Sequence, residues 1–235
     1  MAEVAPRVAM ISGANRGIGS AVAQHLAEVG WHLSLGVREP ARLTVPPGGE
    51  ATMVSRFDAR DSASERLWAQ ATAERFGRID AVIANAGIMI PKTVIEAQDE
   101  DLEDLLQVNV RSPLRLVRAA WPWLIRSGRG RVITIASLSG MRVKSAASGL
   151  YATSKFAALA LTHAIRHAGW EAGVRATAIC PGFVATDMAT GLTPRPAADM
   201  TQPQDLARII GLILDLPNTA SVSEIPINST LEEMV

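Results

Sequence analysis

The 235-residue sequence predicts an α/β fold: one doubly wound parallel sheet of seven strands with helices on both faces. Three observations carry that expectation. Short apolar runs alternate with longer stretches of helical periodicity from end to end. The apolar runs are continuous rather than alternating in twos, as in strands covered by helices on both sides. No internal repeat or linker-like stretch divides the chain, which favours one domain over residues 1–235.

Val8–Ile11 reads as the first strand. Ile18, Val22, Leu26 and Val29 then recur at spacings of four, four and three, on one helix face. His32–Val37 is the second strand. The turn-rich Glu39–Gly49, with Pro46, Pro47, Gly48 and Gly49, leaves room for little helix before a third strand near Thr52–Phe57. Ser62–Phe76 is a helix with Gly77 as its stop, and Ala81–Ala84 is the fourth strand. Helical periodicity returns over about Asp99–Ile125, interrupted by Pro113 and Pro122. Val132–Ile135 follows as a strand, Tyr151–Ala168 as a helix and Val174–Ile179 as a strand. Pro203–Leu214 is the last helix and Val222–Ile227 the last strand.

Charge and composition exclude several roles. Lys and Arg number 23 and Asp and Glu 23, and without a long basic run the electrostatic footprint of a nucleic-acid binder is missing. The one cysteine, Cys180, rules out an internal disulfide and a cysteine zinc cage. Met1–Arg7 lacks the basic-then-apolar order of a signal peptide. No apolar run reaches the ~18 residues of a membrane span. The expectation is a cytoplasmic protein that engages neither membrane nor nucleic acid. Zero net charge and a mean hydropathy of +0.17 point to surface covered in subunit contacts.

The first strand runs into Ser12-Gly13-Ala14-Asn15-Arg16-Gly17-Ile18-Gly19, where a helix begins. Glycines there let the backbone turn sharply and let a pyrophosphate approach the helix N-terminus. The spacing is Gly-x-x-x-Gly-x-Gly. Further motifs follow in order at strand ends: Asn85-Ala86-Gly87, Asn109-Val110 in the long helical stretch, Ser137, Tyr151-Ala-Thr-Ser-Lys155, and Pro181-Gly182. On these residues the chain resembles the short-chain dehydrogenase/reductase family, the single-domain subgroup of ~250 residues built on a Rossmann-type fold. The resemblance covers essentially the whole chain.

That resemblance implies an oxidoreductase moving hydride between a nicotinamide dinucleotide and a carbonyl or alcohol substrate. Asn109, Ser137, Tyr151 and Lys155 would carry the catalysis. Tyr151 and Lys155 stand four apart and so share a helix face. A free tyrosine titrates near pH ~10 and is a poor proton shuttle at neutrality. An ammonium ~4 Å away is worth about 4 kcal/mol at an effective dielectric of about 20, enough to lower it. Ser137 would hold the substrate oxygen, with Ser139 as the second candidate. The residue matching Asn109 sits at a helix kink in the family, and Asn with Pro113 four residues on agrees locally.

The cofactor contacts implied are Gly13, Asn15, Arg16, Gly17, Ile18, Gly19, Arg38, Asp58, Ala59, Asn85, Ala86, Gly87, Tyr151, Lys155, Pro181, Gly182, Val184 and Thr186. The second strand ends Leu35-Gly36-Val37-Arg38, without the acid that holds a ribose 2′-hydroxyl. Arg16 and Arg38 instead resemble a 2′-phosphate clamp, since an arginine fork binds two oxygens at once. NADP(H) is therefore expected over NAD(H).

The rival readings are a cofactor-binding regulator without turnover and an NAD-dependent alcohol dehydrogenase. Family members commonly form dimers or tetramers, so a homodimer or homotetramer is implied. His163 and His167 have metal-compatible spacing but no third ligand nearby, and are read as surface. Substrate choice is expected in residues 183–201, a short lid, and in the Leu138–Leu150 loop. The tail, Ser221–Val235, lacks the paired glycines of many bacterial oxoacyl reductases.

Overall fold

A computed structural model describes residues 5–43 and 49–231. Pro46, Pro47 and Gly48 of the turn-rich segment, most of Met1–Arg7 and the last residues of the tail lie outside the described residues. The strands are β1 Val8–Ser12, β2 His32–Val37, β3 Thr52–Arg56, β4 Ala81–Ala84, β5 Arg131–Ile135, β6 Arg175–Pro181 and β7 Glu224–Ile227. They form one sheet in the order β3-β2-β1-β4-β5-β6-β7, every neighbour parallel. Chain direction across the sheet reverses between β1 and β4. In doubly wound sheets that switch opens a crevice at the carboxyl ends of the strands.

Among the described residues, six α-helices accompany the sheet: α1 Gly17–Glu28, α2 Ser64–Phe76, α3 Asp99–Leu106, α4 Ser112–Arg126, α5 Gly149–Gly169 and α6 Pro203–Asp215. Val22, Leu26, Leu206 and Ile210 of α1 and α6 pack on one face with Ile11, Leu33 and Leu35. Trp68, Leu116, Val117, Leu124 and Ile165 of α2, α4 and α5 pack on the other with Met10, Val82 and Val132. Burial on both faces is why the strands read as unbroken apolar runs. Each fully buried Leu or Ile contributes about 1.5–3 kcal/mol.

Most element boundaries shift by one or two residues from the sequence reading, and some differences have a clear local reason. The stretch over Asp99–Ile125 contains a π-helical turn, Gln107–Arg111, between α3 and α4. Pro113 opens α4, where a missing N–H costs nothing. Pro122 lies inside α4 without ending it, on an exposed side where water can reach the carbonyl that loses its helical donor. β5 begins one residue early, at a buried Arg131 whose charge hid it from an apolar-run reading. The segment between β2 and β3 carries 3₁₀ turns at Pro40–Arg42 and Gly49–Ala51 and no α-helix among its described residues.

Candidate active site

The loop from β1 into α1 is shaped by its glycines. Gly13 has φ +67°, a conformation that strongly favours glycine. A Cβ on Gly19 would fall 2.4 Å from the Gly13 carbonyl oxygen and 2.6 Å from Asn85 Nδ2. Gly19 thus brings α1 against the end of β4. Asn85 ties the junction by donating from Nδ2 to the carbonyls of Ser12 at 2.9 Å and Gly13 at 3.2 Å. Ser12 Oγ in turn accepts from the amides of Asn85 and Ala86, each at 3.0 Å.

Among the described residues no side chain caps the N-terminus of α1, and its first turn holds no acid. Its amide donors and the positive end of its dipole therefore suit an anion. Thr186 stands against the same turn, its methyl 3.0 Å from where a Gly17 Cβ would lie. Arg16 Nη1 donates to Asp187 at 2.8 Å, linking the glycine loop to the 183–201 segment. Arg38 stands exposed after β2. Arg42, four residues on, lines the same region and pairs with Glu39 at 2.8 Å.

Beyond β4, Asn109 occupies the π-helical turn, where the widened ring turns its amide inward. Its Oδ1 accepts from the Ile88 amide at 2.9 Å, and its Nδ2 donates to the Ile88 carbonyl and to Ser154 Oγ, each at 3.0 Å. Ser154 Oγ donates to the Tyr151 carbonyl at 2.7 Å. Asn109 thereby reaches the turn of α5 that carries Tyr151 and Lys155. A helix kink was the sequence expectation at Asn109, and the π turn is its form.

Tyr151 and Lys155 are both buried. Ser137 stands beside the Tyr151 phenol, where its hydrogen-bonding pull opposes the upward shift of that group, and its Oγ donates to the Pro181 carbonyl at 3.4 Å. Ser137 Oγ also accepts from the Ser139 amide at 3.0 Å. Of the two candidate serines, the structure thus brings Ser137 to Tyr151. Lys155 Nζ donates to the Ile135 carbonyl at 2.8 Å and lies 5.6 Å from the Tyr151 ring centre. Burial lowers the ammonium to about 8. Burial pushes the Tyr151 phenol up to about 12, against the opposing pull of Ser137.

The expected lowering of Tyr151 by Lys155 is therefore corrected in this geometry. Desolvation of the phenolate is the dominant influence, with Ser137 the opposing one. Cys180, on β6 behind Ser137, is fully buried and pushed up to about 11, a packed thiol rather than a nucleophile.

These groups meet in one cavity of about 930 Å³ at the carboxyl ends of the strands. Every residue predicted to bind cofactor or to catalyse lines it except Asn109 and Gly19, which stand behind its wall. Its size, the uncapped helix N-terminus and the close approach at Gly19 fit a dinucleotide with its diphosphate on α1. Sequence reasoning missed Ser12, Ser154 and Arg42. Only Arg42 had a usable signal, a second basic residue one short turn after Arg38. Residues 183–201 hold a parallel bridge between Val184 and Thr201 and one 3₁₀ turn, Ala197–Asp199, but no α-helix.

Comparison with known proteins agrees with this geometry. Residues 7–197 match the family model described as short chain dehydrogenase. Agropine synthesis reductase of Rhizobium rhizogenes is 39% identical over 218 residues, covering 92% of this chain and 50% of that protein. The chain thus spans about half the length of that relative. An uncharacterized oxidoreductase of Staphylococcus saprophyticus is 30% identical over 233 residues, covering 97% of this chain and 99% of the relative. Among solved structures, alcohol dehydrogenase from the archaeon Thermococcus sibiricus, complexed with 5-hydroxy-NADP, superposes with a TM-score of 0.85. It shares 28% identity, with 97% of this chain and 98% of that chain covered.

Proposed function

The chain belongs to the short-chain dehydrogenase/reductase family, and on that premise we propose that it is an NADP(H)-dependent oxidoreductase interconverting a carbonyl compound and its alcohol. The observation that carries this reading is the buried Ser137–Tyr151 hydroxyl pair, in the same cavity as the uncapped N-terminus of α1. When bound, the dinucleotide supplies or accepts the hydride. Its diphosphate is assigned to the Gly13–Gly19 loop, its adenine to Asp58 and Ala59, and its 2′-phosphate to Arg38 with Arg16. Its nicotinamide half is assigned to the walls at Asn85–Gly87, Pro181, Gly182, Val184 and Thr186.

The rest of the chemistry belongs to the chain's own side chains. Tyr151 Oη gives its proton to the substrate oxygen in reduction and takes one back in oxidation. Ser137 Oγ donates to that oxygen and steadies the charge developing on it. Lys155, lowered to about 8, is still protonated at neutral pH and presents a cation beside Tyr151. Its carbonyl partner, Ile135, leaves it donors for a ribose. Asn109 and Ser154 hold the turn that aims Tyr151.

The cofactor preference draws support from Arg38, from the lack of an acid at the end of β2 before Glu39, and from the NADP analogue bound by the Thermococcus sibiricus alcohol dehydrogenase. The reading includes a homodimer or homotetramer, supported by Ile125 of α4 and Phe156 of α5, which stay exposed. Light scattering that gives a 25 kDa particle at micromolar concentration counts against it.

The test is a turnover screen on aldehydes, ketones, quinones and hydroxysteroids with NADPH and with NADH. The expected result is turnover with a higher kcat/KM for NADPH. Binding of NADPH with no turnover across the panel overturns the enzymatic reading in favour of a cofactor-binding sensor. A preference for NADH overturns the cofactor assignment.

A further inference from the structure

The cavity extends past Ser137 and Tyr151 into walls built from the loop after β5, the 183–201 segment and the residues after β7. Basic side chains line these walls: Arg142 and Lys144 from the loop, each already engaged with other groups, and Arg195 from the 183–201 segment. Among the described residues lining these walls the acid is Asp187, engaged by Arg16 at 2.8 Å.

Arg195 is the informative member. It is half-buried. Its Nη1 donates to Ser229 Oγ at 2.9 Å, and it forms no ion pair with an acid among the described residues. Asn228, next to Ser229, reaches the floor of the cavity, its Oδ1 lying 2.5 Å from where a Gly182 Cβ would stand. One nitrogen of the fork is thus anchored to a serine beside the floor, and other donors remain for a ligand.

We propose that the substrate is a carbonyl compound bearing an oxyanion, carboxylate or phosphate, and that Arg195 binds that group. This deepens the oxidoreductase reading above and rests on it for the carbonyl. The physical case is direct. A partly desolvated guanidinium without a carboxylate partner is favoured by an incoming anion. Its planar fork can bind two oxygens at once. The anion end would fix the substrate's register and leave the carbonyl at Ser137 and Tyr151.

The test separates the anion site from the chemistry. Calorimetry would measure binding of a series of 2-, 3-, 4- and 5-oxo acids, of their methyl esters, and of hydroxyketone phosphates to the NADPH-loaded and cofactor-free protein. The expected result is that at least one anionic member binds tenfold or more tighter than its neutral counterpart. Arg195→Gln should remove that difference while leaving ester affinity within twofold. Arg195→Lys should keep part of it and guards against a folding defect. Whether acid or phosphate binds better identifies the oxyanion.

Equal or undetectable binding of anions and esters throughout overturns the proposal, as does an anion preference that Arg195→Gln leaves intact. Turnover of the same ligands is read separately. Anion binding at Arg195 with no turnover of any carbonyl would defeat the oxidoreductase reading and leave the anion site standing. Turnover of neutral and charged ketones alike would do the reverse.

Discussion

At the amino ends of the central strands, Arg7, Arg129, Arg131 and Arg175 gather around the C-terminus of α6. At the carboxyl ends of the same sheet, the N-terminus of α1 meets a cavity with no side chain capping it. Arg131, 3% exposed, donates to the carbonyls of Gly130 and Leu216 and to Asn218 Oδ1. Arg129 donates to the carbonyls of Asp215 and Leu216, and Arg7 to that of Leu214. Arg175 holds the Asn218 carbonyl and stacks 3.8 Å from the Trp170 ring centre. Burial, and then the neighbouring arginines, lower Arg131 to about 10.

Two charged regions on one sheet are thus organised for different ends. The cations at the amino end meet orphan carbonyls and the negative pole of a helix, so their hydrogen-bonding capacity is spent inside the fold. At the carboxyl end, amides and buried ionisable groups keep capacity facing an open cavity. Saturated polar groups add stability. Unsaturated ones, held rigidly, are where a ligand is worth most.

The comparison can be broken from either end. The largest expected effect is that of Tyr151→Phe, about 10³-fold in kcat, with a melting temperature unchanged or slightly raised because a buried hydroxyl is lost. Steady-state turnover and thermal melting of the same preparation check it, and near-normal turnover would sink the proton-transfer role. Next comes Arg131→Met. Stripping donors from buried carbonyls costs about 1–3 kcal/mol each, so melting should fall by several degrees, at roughly 2–4 °C per kcal/mol, with kcat retained. A loss of turnover without a loss of stability would mean the arginine end is not purely structural.

Smaller is Arg38→Ser, expected to shrink the ratio of kcat/KM for NADPH over NADH about tenfold, or about 1.4 kcal/mol. An unchanged ratio would move the 2′-phosphate assignment elsewhere. Smallest is a linkage effect. Lys155 titrates near 8 when folded and is raised to its ordinary value when unfolded. Between those pH values the unfolded chain binds more protons, so stability should rise with pH, by at most ~1.4 kcal/mol per unit. Urea melts of the cofactor-free protein at pH 7.5 and 9.5 against Lys155→Met would show it, the variant giving the flatter response.

Tyr151 offers an independent reading, because the chain has 1 tyrosine. Its tyrosinate absorbance reports that residue alone. The buried phenol, pushed up to about 12, should stay protonated through pH 10 without cofactor. Adding the oxidised dinucleotide, with its positive nicotinamide, should lower the midpoint. Ionisation at the ordinary value in the cofactor-free protein would contradict the desolvated site.

The fold was legible because its strands are buried on both faces, and such burial leaves apolar runs such as Val8–Ile11 and Ala81–Ala84. Where burial is polar, the signal failed. Arg131 opens β5 as a charged residue, and its place in the core depends on carbonyls some 85 residues later. Ser12 and Ser154 are equally silent. Each is an ordinary small polar residue whose importance comes from the partner it meets, the Asn85 backbone amide in one case and the Asn109 side-chain amide in the other.

What the sequence by itself determined is the order of elements, the strand-to-helix glycine turn, and the spacing that puts Tyr151 and Lys155 on one helix face. These follow from local periodicity and local backbone conformation. Only the tertiary structure decided that Ser137 rather than Ser139 stands beside Tyr151, that Lys155 donates a hydrogen bond to the Ile135 carbonyl, and that burial pushes Tyr151 up rather than down. It likewise left Arg195 facing the cavity. Those outcomes depend on desolvation and on partners distant in the chain, and neither is written in the spacing of the residues involved.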